Sequence, residues 1–262
     1  MKFTKILCLM LALLMLTVSF AACGSDANEN GAAPAGDETA ADAGKLIMAT
    51  NAAFPPYEFK EGEEIVGIDA EIAAAIAENL GMELVIEDME FDSIITAVTN
   101  DKSYVGIAGL TVTDERKKEV NFSDSYATGV QVVIVKEGSD IVDLDGLTGK
   151  KIGVQLGTTG DIYASGDYGD ENVIRYGKGA DAIIALQGGD VDAVIIDNEP
   201  AKNFVANNEG LTILETEYAI EDYAIAINKD NAELLDKING ALAELTADGT
   251  IDAIIEKYIP VE

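Results

Sequence analysis

The stretch Tyr-Val-Gly-Ile-Ala-Gly-Leu-Thr-Val-Thr-Asp-Glu-Arg-Lys, residues 104–117, changes from apolar to polar within a few positions. Its first part, residues 104–109, is a short apolar run that ends in glycine, which predicts a buried β-strand. Thr111 comes just after this predicted strand, and Arg116 lies further along the polar part of the segment. The segment therefore places a hydroxyl and a guanidinium at a strand end.

Strand-like and helix-like runs alternate on both sides of this segment. Asp69 is predicted to cap a helix that ends near residue 80, because Ile72, Ile76 and Leu80 recur at four-residue spacing. Strands are predicted for residues 46–50, 84–86, 131–135, 150–155, 192–196 and 223–227, and helices for residues 91–98, 181–186, 231–245 and 251–258. This alternation predicts an α/β architecture with largely parallel sheets.

Polar side chains recur where the predicted strands end, at Asn51, Thr111, Thr158 and Asp197. Ligands of open α/β sheets bind outside the carboxyl ends of the strands, so these residues are expected to share one site. Each of them alone is also a common cap or turn residue. The prediction therefore depends on the whole set.

Composition excludes several classes of function. The 262 residues include 48 acidic and 17 basic side chains, no His and 2 Cys, with a net charge of −31. Such a charge repels phosphate backbones, so nucleic acid is not an expected partner. Without His there is no imidazole base or His metal ligand, and two Cys cannot form an all-cysteine zinc site. No metal and no cofactor are expected.

The amino-terminal segment has the pattern of an export signal. Two lysines precede the uncharged run 6–20, which ends in small residues, and this predicts a signal peptide over residues 1–22. Residues 20–24, Phe-Ala-Ala-Cys-Gly, resemble a bacterial lipobox whose Cys23 becomes lipidated, with Phe20 where an aliphatic residue is usual. The alternative is simple cleavage near residue 22 that leaves Cys23 free. Residues 23–45 lack large apolar side chains over most of their length and are expected to form a disordered tether.

Residues 49–59, Ala-Thr-Asn-Ala-Ala-Phe-Pro-Pro-Tyr-Glu-Phe, resemble the opening of the amino-acid-binding proteins of bacterial ABC importers. This is family 3 of the solute-binding proteins, which includes the glutamine-binding protein. The resemblance runs in order from residue 46 to residue 258. Further matching segments are residues 67–71, 89–91, 108–117, 122–124, 144–147 and 192–197.

The resemblance implies a two-lobe periplasmic-binding-protein fold of type II, with a ligand cleft between lobes that close by a hinge motion. Lobe one would comprise residues 46–127 and 222–262, and lobe two residues 128–221. The chain would cross between them near residues 126–130 and 219–223. The implied protein is an exported, lipid-anchored monomer that delivers an amino acid to a permease and is not an enzyme.

Arg116 is implied to hold the ligand α-carboxylate, because its planar fork donates two parallel hydrogen bonds to such a group. Thr111 and backbone groups near Gly109 and Thr158 would assist. The alternative is a surface ion pair of Arg116 with Asp114 or Glu119.

Asp197 is implied to hold the α-ammonium, and Phe54 and Phe91 to enclose the ligand side chain, with Tyr57 on the same wall. The expected ligand-binding residues are Asn51, Phe54, Tyr57, Phe91, Ala108, Gly109, Thr111, Arg116, Gln155, Thr158, Thr159 and Asp197.

Asn51 and Gln155 would face the ligand side chain. Both are neutral, which favours a polar uncharged ligand such as glutamine over a cationic one, unless Glu90 or Glu199 reaches the site. Two other functions remain open at this stage. One is a dehydratase of cyclohexadienyl or arogenate type, with Glu58, Glu90 or Glu199 as proton donor, and the other is a sensor that presents its ligand to a receptor.

Overall fold

The computed structural model describes residues 44–260. The predicted signal peptide, Cys23 and the tether up to residue 43 lie outside the described residues. The strands are β1 (Lys45–Thr50), β2 (Ala53–Phe54), β3 (Glu58–Glu61), β4 (Glu64–Val66), β5 (Glu83–Asp88), β6 (Tyr104–Gly106), β7 (Val120–Lys136), β8 (Ile152–Gln155), β9 (Val173–Tyr176), β10 (Ala193–Asp197), β11 (Leu211–Ile213) and β12 (Ala219–Asn228). The helices are α1 (Ile68–Asn79), α2 (Ile94–Asn100), α3 (Arg116–Glu119), α4 (Thr159–Tyr168), α5 (Gly179–Gly188), α6 (Asn198–Asn207), α7 (Ala232–Ala247) and α8 (Thr250–Tyr258).

Side-chain caps fix the starts of three of these helices. Thr158 accepts a hydrogen bond from the amide of Asp161 at the start of α4, Asp197 accepts from Glu199 in α6, and Asn231 accepts from Leu234 in α7. A capping oxygen satisfies a backbone donor that has no partner inside the helix. Two of the polar residues that follow strands, Thr158 and Asp197, are therefore caps as well as candidate site residues.

The expected cap at the start of α1 is wrong. The helix begins at Ile68 behind Gly67, and Asp69 lies within its first turn, fully buried. The Asp69 carboxylate instead accepts a 2.6 Å hydrogen bond from the amide of Gly109. Asp69 thus supports the loop after β6 rather than the helix start.

The main sheet has nine strands in the order β5-β1-β6-β12-β7-β10-β8-β9, with β11 beside β7. Its two ends are parallel, β1 with β5 and β6, and β8 with β9 and β10. In the middle, β12 and β7 pair antiparallel with each other and with their outer neighbours. The expected largely parallel sheet is therefore mixed, because two long strands join two parallel halves. A separate three-stranded sheet, β2-β3-β4, was not predicted.

The two joining strands coincide with the expected crossings. β7 is 17 residues long, and its residues 127–130 pair with residues 220–223 of β12. One apolar cluster packs β1, β6 and β12 against α1, α7 and α8. Two others pack the far end of β7 with β8 and β10 against α4, α5 and α6. The residue-level lobe boundaries at 127/128 and 221/222, which lie inside these strands, stay a prediction.

No helix within residues 44–260 combines the length and the apolar character that crossing a bilayer requires.

Gly67 allows the turn between β4 and α1 to pass close to the preceding chain. Its φ is 122°, a backbone conformation that residues with a side chain rarely adopt, and an added Cβ would overlap the backbone carbonyl oxygen of Tyr57.

We expect Gly67→Ala to lower the free energy of unfolding by roughly 2–4 kcal/mol, through strain and overlap together. Urea unfolding measures this change. Gly62→Ala is the matched control, because Gly62 also has a positive φ but no atom within 4 Å of its added Cβ. Equal losses in the two variants would contradict the overlap.

Candidate functional site

A cleft of about 460 Å³, its open mouth included, lies between the two halves of the main sheet. It brings together all but one of the expected site residues: Asn51, Phe54, Phe91, Ala108, Gly109, Thr111, Arg116, Gln155, Thr158, Thr159 and Asp197. Tyr57 is the exception. Residues outside the expected ligand-binding set also line it: Gln131, Ile195, Ile196, Tyr223 and Glu58, the last of which was named only as a proton donor of the alternative dehydratase. The ligand contacts assigned to these side chains stay predictions.

Arg116 lies inside the cleft and joins its two sides. Its side chain donates to the carbonyl of Thr111 at 2.7 Å and to the carbonyl of Gly157 at 3.0 Å, and its guanidinium carbon lies 5.5 Å from the centre of the Phe91 ring. The residue is only 9% exposed, and burial lowers the pKa of the guanidinium to about 10. The alternative of a surface ion pair is wrong, since Asp114 pairs with Lys117 instead.

The Asp197 carboxylate is buried and also lines the cleft. One oxygen accepts from the Tyr223 hydroxyl at 2.6 Å and from the amide of Val130 at 2.9 Å, and the other caps α6. Burial raises the pKa of Asp197 to about 6, against the lowering effect of these hydrogen bonds. Gly129 permits the close approach of β7, because a Cβ there would lie 2.7 Å from the carboxylate. A cation that entered here would meet a preoriented carboxylate.

Two neutral amides meet across the cleft. The Gln155 side chain donates to Asn51 Oδ1 at 2.9 Å and to the carbonyl of Gly177 at 3.2 Å. Asn51 in turn donates to the carbonyl of Met89 at 2.7 Å. Both side chains are buried and belong to opposite halves of the sheet. This part of the cleft offers amide donors and acceptors and no charge of its own.

The aromatic wall differs from the expectation in one residue. Phe54 lines the cleft, whereas Tyr57 is buried behind it, with ring centres 5.8 Å apart and the planes inclined by 24°. Tyr57 then meets the edge of the Tyr223 ring at 5.3 Å. Tyr57 therefore supports Phe54 from the core side. Phe91 lies beneath Arg116 and faces the cleft as expected.

A pair of buried acids supports the loop after β6. Glu58 is 1% exposed, and burial together with the charge of Asp69 raises its pKa well above the ordinary value. Burial also raises the pKa of Asp69, to about 6. The Asp69 carboxylate accepts the amide of Gly109, so this buried acid holds the cleft-lining loop from behind.

The residues that were missed lie on strands rather than at strand ends. Gln131 and Tyr223 belong to β7 and β12, while Ile195 and Ile196 precede Asp197 on β10. A polar Gln131 within the apolar run Val130–Val135 was the available signal, because a polar side chain inside a buried strand needs a partner. Among residues 44–260, no group of three or more His, Cys, Asp or Glu side chains is arranged to hold a metal ion.

A cleft between two sheet halves, joined by two antiparallel strands and holding a buried Arg116 opposite a buried Asp197, defines a solute-binding protein of the type II periplasmic fold. The sequence profile of the bacterial extracellular solute-binding proteins, family 3, matches residues 46–261. The chain belongs to this family. The resemblance inferred from the sequence and the fold that it implied are thus confirmed.

Individual relatives agree with this assignment. The arginine-binding extracellular protein ArtP of Bacillus subtilis is 35% identical over 260 residues, which cover 97% of this chain and 98% of that protein. The arginine-, lysine-, histidine-binding protein ArtJ of Geobacillus stearothermophilus is 34% identical, with a TM-score of 0.79 over 83% of this chain and 96% of its own. An ancestral arginine-binding protein bound to glutamine is 43% identical, with a TM-score of 0.75 over 82% of this chain and 97% of its own.

The raised pKa of Asp197 makes a measurable contribution to stability. A carboxyl group with a higher pKa in the folded state stabilises the fold at low pH and loses this contribution as pH rises through the folded value. For a pKa of about 6, we expect Asp197 to account for about 1 kcal/mol of lost stability between pH 5 and pH 7.5 in the ligand-free protein. Urea unfolding at both pH values, in wild type and in Asp197→Asn, measures the difference.

Asp236→Asn, a change on the exposed side of α7, is the control for the same loss of charge. It should keep the wild-type pH dependence. Parallel pH curves for wild type and Asp197→Asn would contradict the assignment.

Proposed function

We propose that this protein captures a polar amino acid outside the membrane and delivers it to the permease of an ABC transporter without changing any bond. Arg116 binds the α-carboxylate, Asp197 binds the α-ammonium, and Phe54 and Phe91 enclose the side chain. The observation that carries the proposal is the position of Arg116 and Asp197 in one cleft, buried and of opposite charge. The similarity of the chain to amino-acid-binding proteins such as ArtP and ArtJ supports it.

Glutamine is the ligand that we favour. The carboxylates that line the cleft are Glu58 and Asp197. Asp197 serves the ammonium, and burial together with the charge of Asp69 raises the pKa of Glu58 well above its ordinary value, which disfavours a charge there. Glu199, a possible charge for a cationic ligand, pairs with Lys202 at 2.7 Å instead. Glu90, the other possible charge, lies beside Gly177 but does not line the cleft. The side-chain end therefore presents the neutral Asn51–Gln155 pair, which matches the donors and acceptors of a carboxamide, whereas a buried guanidinium there would favour a lining carboxylate.

Refolded, ligand-free protein tests this function by calorimetric titration with glutamine, arginine, lysine, histidine and cystine. We expect glutamine to bind most tightly, and a hundredfold excess over Kd to stabilise the protein by about 2.7 kcal/mol in a thermal-shift assay. No response to any amino acid would contradict amino-acid binding. Tighter binding of arginine would contradict only the preference for glutamine.

Asn51→Asp is the matched variant for the same titrations. It places a carboxylate at the side-chain end, so the ratio of arginine to glutamine affinity should rise by roughly tenfold to a hundredfold. Asn203→Asp adds the same charge on the exposed face of α6 and should leave the ratio unchanged.

We also propose that Cys23 carries a lipid that anchors the exported protein to the membrane. The support is the lipobox-like run 20–24 after an apolar segment. We expect a bacterium that expresses the full chain to incorporate an alkyne-labelled fatty acid into the wild type and into Cys8→Ser, but not into Cys23→Ser. The Cys23→Ser protein should also be lost from the membrane fraction. Cys8 is a suitable control because it lies in the predicted signal peptide. Labelling of Cys23→Ser would refute the assignment.

A further inference from the structure

Glu221 is a buried carboxylate that the proposed ligand contacts do not use. It lies on β12, within the crossing segment 219–223, and is 4% exposed. Its Oε2 accepts from the Thr111 hydroxyl at 3.1 Å and from the Gln131 side chain at 3.1 Å. Its Oε1 is fully buried and accepts no hydrogen bond from the described residues. A buried acceptor without a donor is costly, so its retention needs a reason.

Both donors to Glu221 line the cleft. A threonine hydroxyl has one proton to donate, and Thr111 gives it to Glu221 rather than to the cleft. The Thr159 hydroxyl lies 3.4 Å from that of Thr111, on the other side of the cleft. The Glu221 carboxylate therefore lies directly behind the hydroxyl that a bound α-carboxylate would use.

Glu221 also acts on the charge of Arg116. Burial lowers the pKa of the guanidinium, and the negative charge of Glu221 is the largest opposing influence on it. Arg116 makes its hydrogen bonds in the cleft with two carbonyl groups, of Thr111 and Gly157. In the empty cleft, Glu221 is thus the nearby anion that offsets a buried cation.

We infer that Glu221 is an internal competitor of the ligand α-carboxylate. Without ligand, Glu221 accepts the hydrogen bond of the Thr111 hydroxyl and offsets the charge of Arg116. With ligand bound, Glu221 repels the α-carboxylate. This inference rests on the proposed role of Arg116. Two like charges near one guanidinium repel each other strongly in a cleft that excludes water. Glu221 therefore limits the affinity for the ligand and favours its release, which a delivery protein requires.

The charge-removing variant Glu221→Gln distinguishes competition from a structural role. Competition predicts that Glu221→Gln binds glutamine roughly tenfold more tightly at pH 7.5, while the melting temperature of the empty protein falls because Arg116 loses its counter-charge. A residue that only braces the closed cleft would give weaker binding. Asp222→Asn is the control, since it removes a charge from the neighbouring, exposed position and should leave the affinity unchanged.

A second ligand makes the test specific to the α-carboxylate. The α-amide of glutamine, in which a neutral carboxamide replaces the α-carboxylate, is titrated into the same proteins. The ratio of glutamine to amide affinity should rise at least fivefold in Glu221→Gln and also in Glu221→Ala, because any cavity in the alanine variant affects both ligands equally.

An unchanged ratio of the two affinities in both variants would overturn the inference. Failure of both variants to fold would overturn it as well, because Glu221 would then be a structural residue. Wild-type protein that binds no amino acid would instead contradict the proposed function.

Discussion

The antiparallel pairing of β7 with β12 is the constraint on which the cleft depends. These strands carry the chain between two parallel half-sheets, and their register places residues 127–130 beside 220–223. The pairing sets Gln131 and Glu221 on one side and brings Val130 and Tyr223 onto the Asp197 carboxylate. A slip of one residue would turn these side chains to the other face of the sheet, since strand side chains alternate.

The electrostatics of the cleft is unusual for so acidic a chain. One guanidinium, that of Arg116, is buried among carboxyl groups whose states differ. Burial raises the pKa of Glu58 well above its ordinary value and raises the pKa of Asp69 and Asp197 to about 6. Hydrogen bonds from Tyr223 and two backbone amides then favour the ionised form of Asp197 near neutral pH. The cleft thus contains one buried guanidinium and one buried carboxylate, which is the pair of charges that the proposed binding of a zwitterion uses.

Much of this arrangement could be predicted from the sequence, since strand ends bear the informative residues. Asn51, Thr111, Thr158 and Asp197 were found because each follows an apolar run, and the structure brings them to one cleft. Arg116, which lines the same cleft, was found through the family resemblance.

Residues within the strands could not be assigned in the same way. Whether Gln131 and Glu221 face the cleft depends on a long-range register that no local pattern specifies, and the joining strands also made the sheet mixed. Tyr57 was predicted to line the cleft with Phe54, because the spacing of the two residues does not reveal which ring faces the cleft and which lies behind it. Asp69 looked like a helix cap until its partner, the amide of Gly109, was known.

The route of the chain through the three apolar clusters has a consequence for biosynthesis. The cluster around β1 and α1 is completed by β12, α7 and α8, which follow all the strands and helices of the other half in the chain. The clusters around β8 and β10 need only residues from the middle of the chain. The half-sheet whose synthesis begins first is therefore completed after the other one, and the nascent chain exposes an incomplete core until β12, α7 and α8 have emerged.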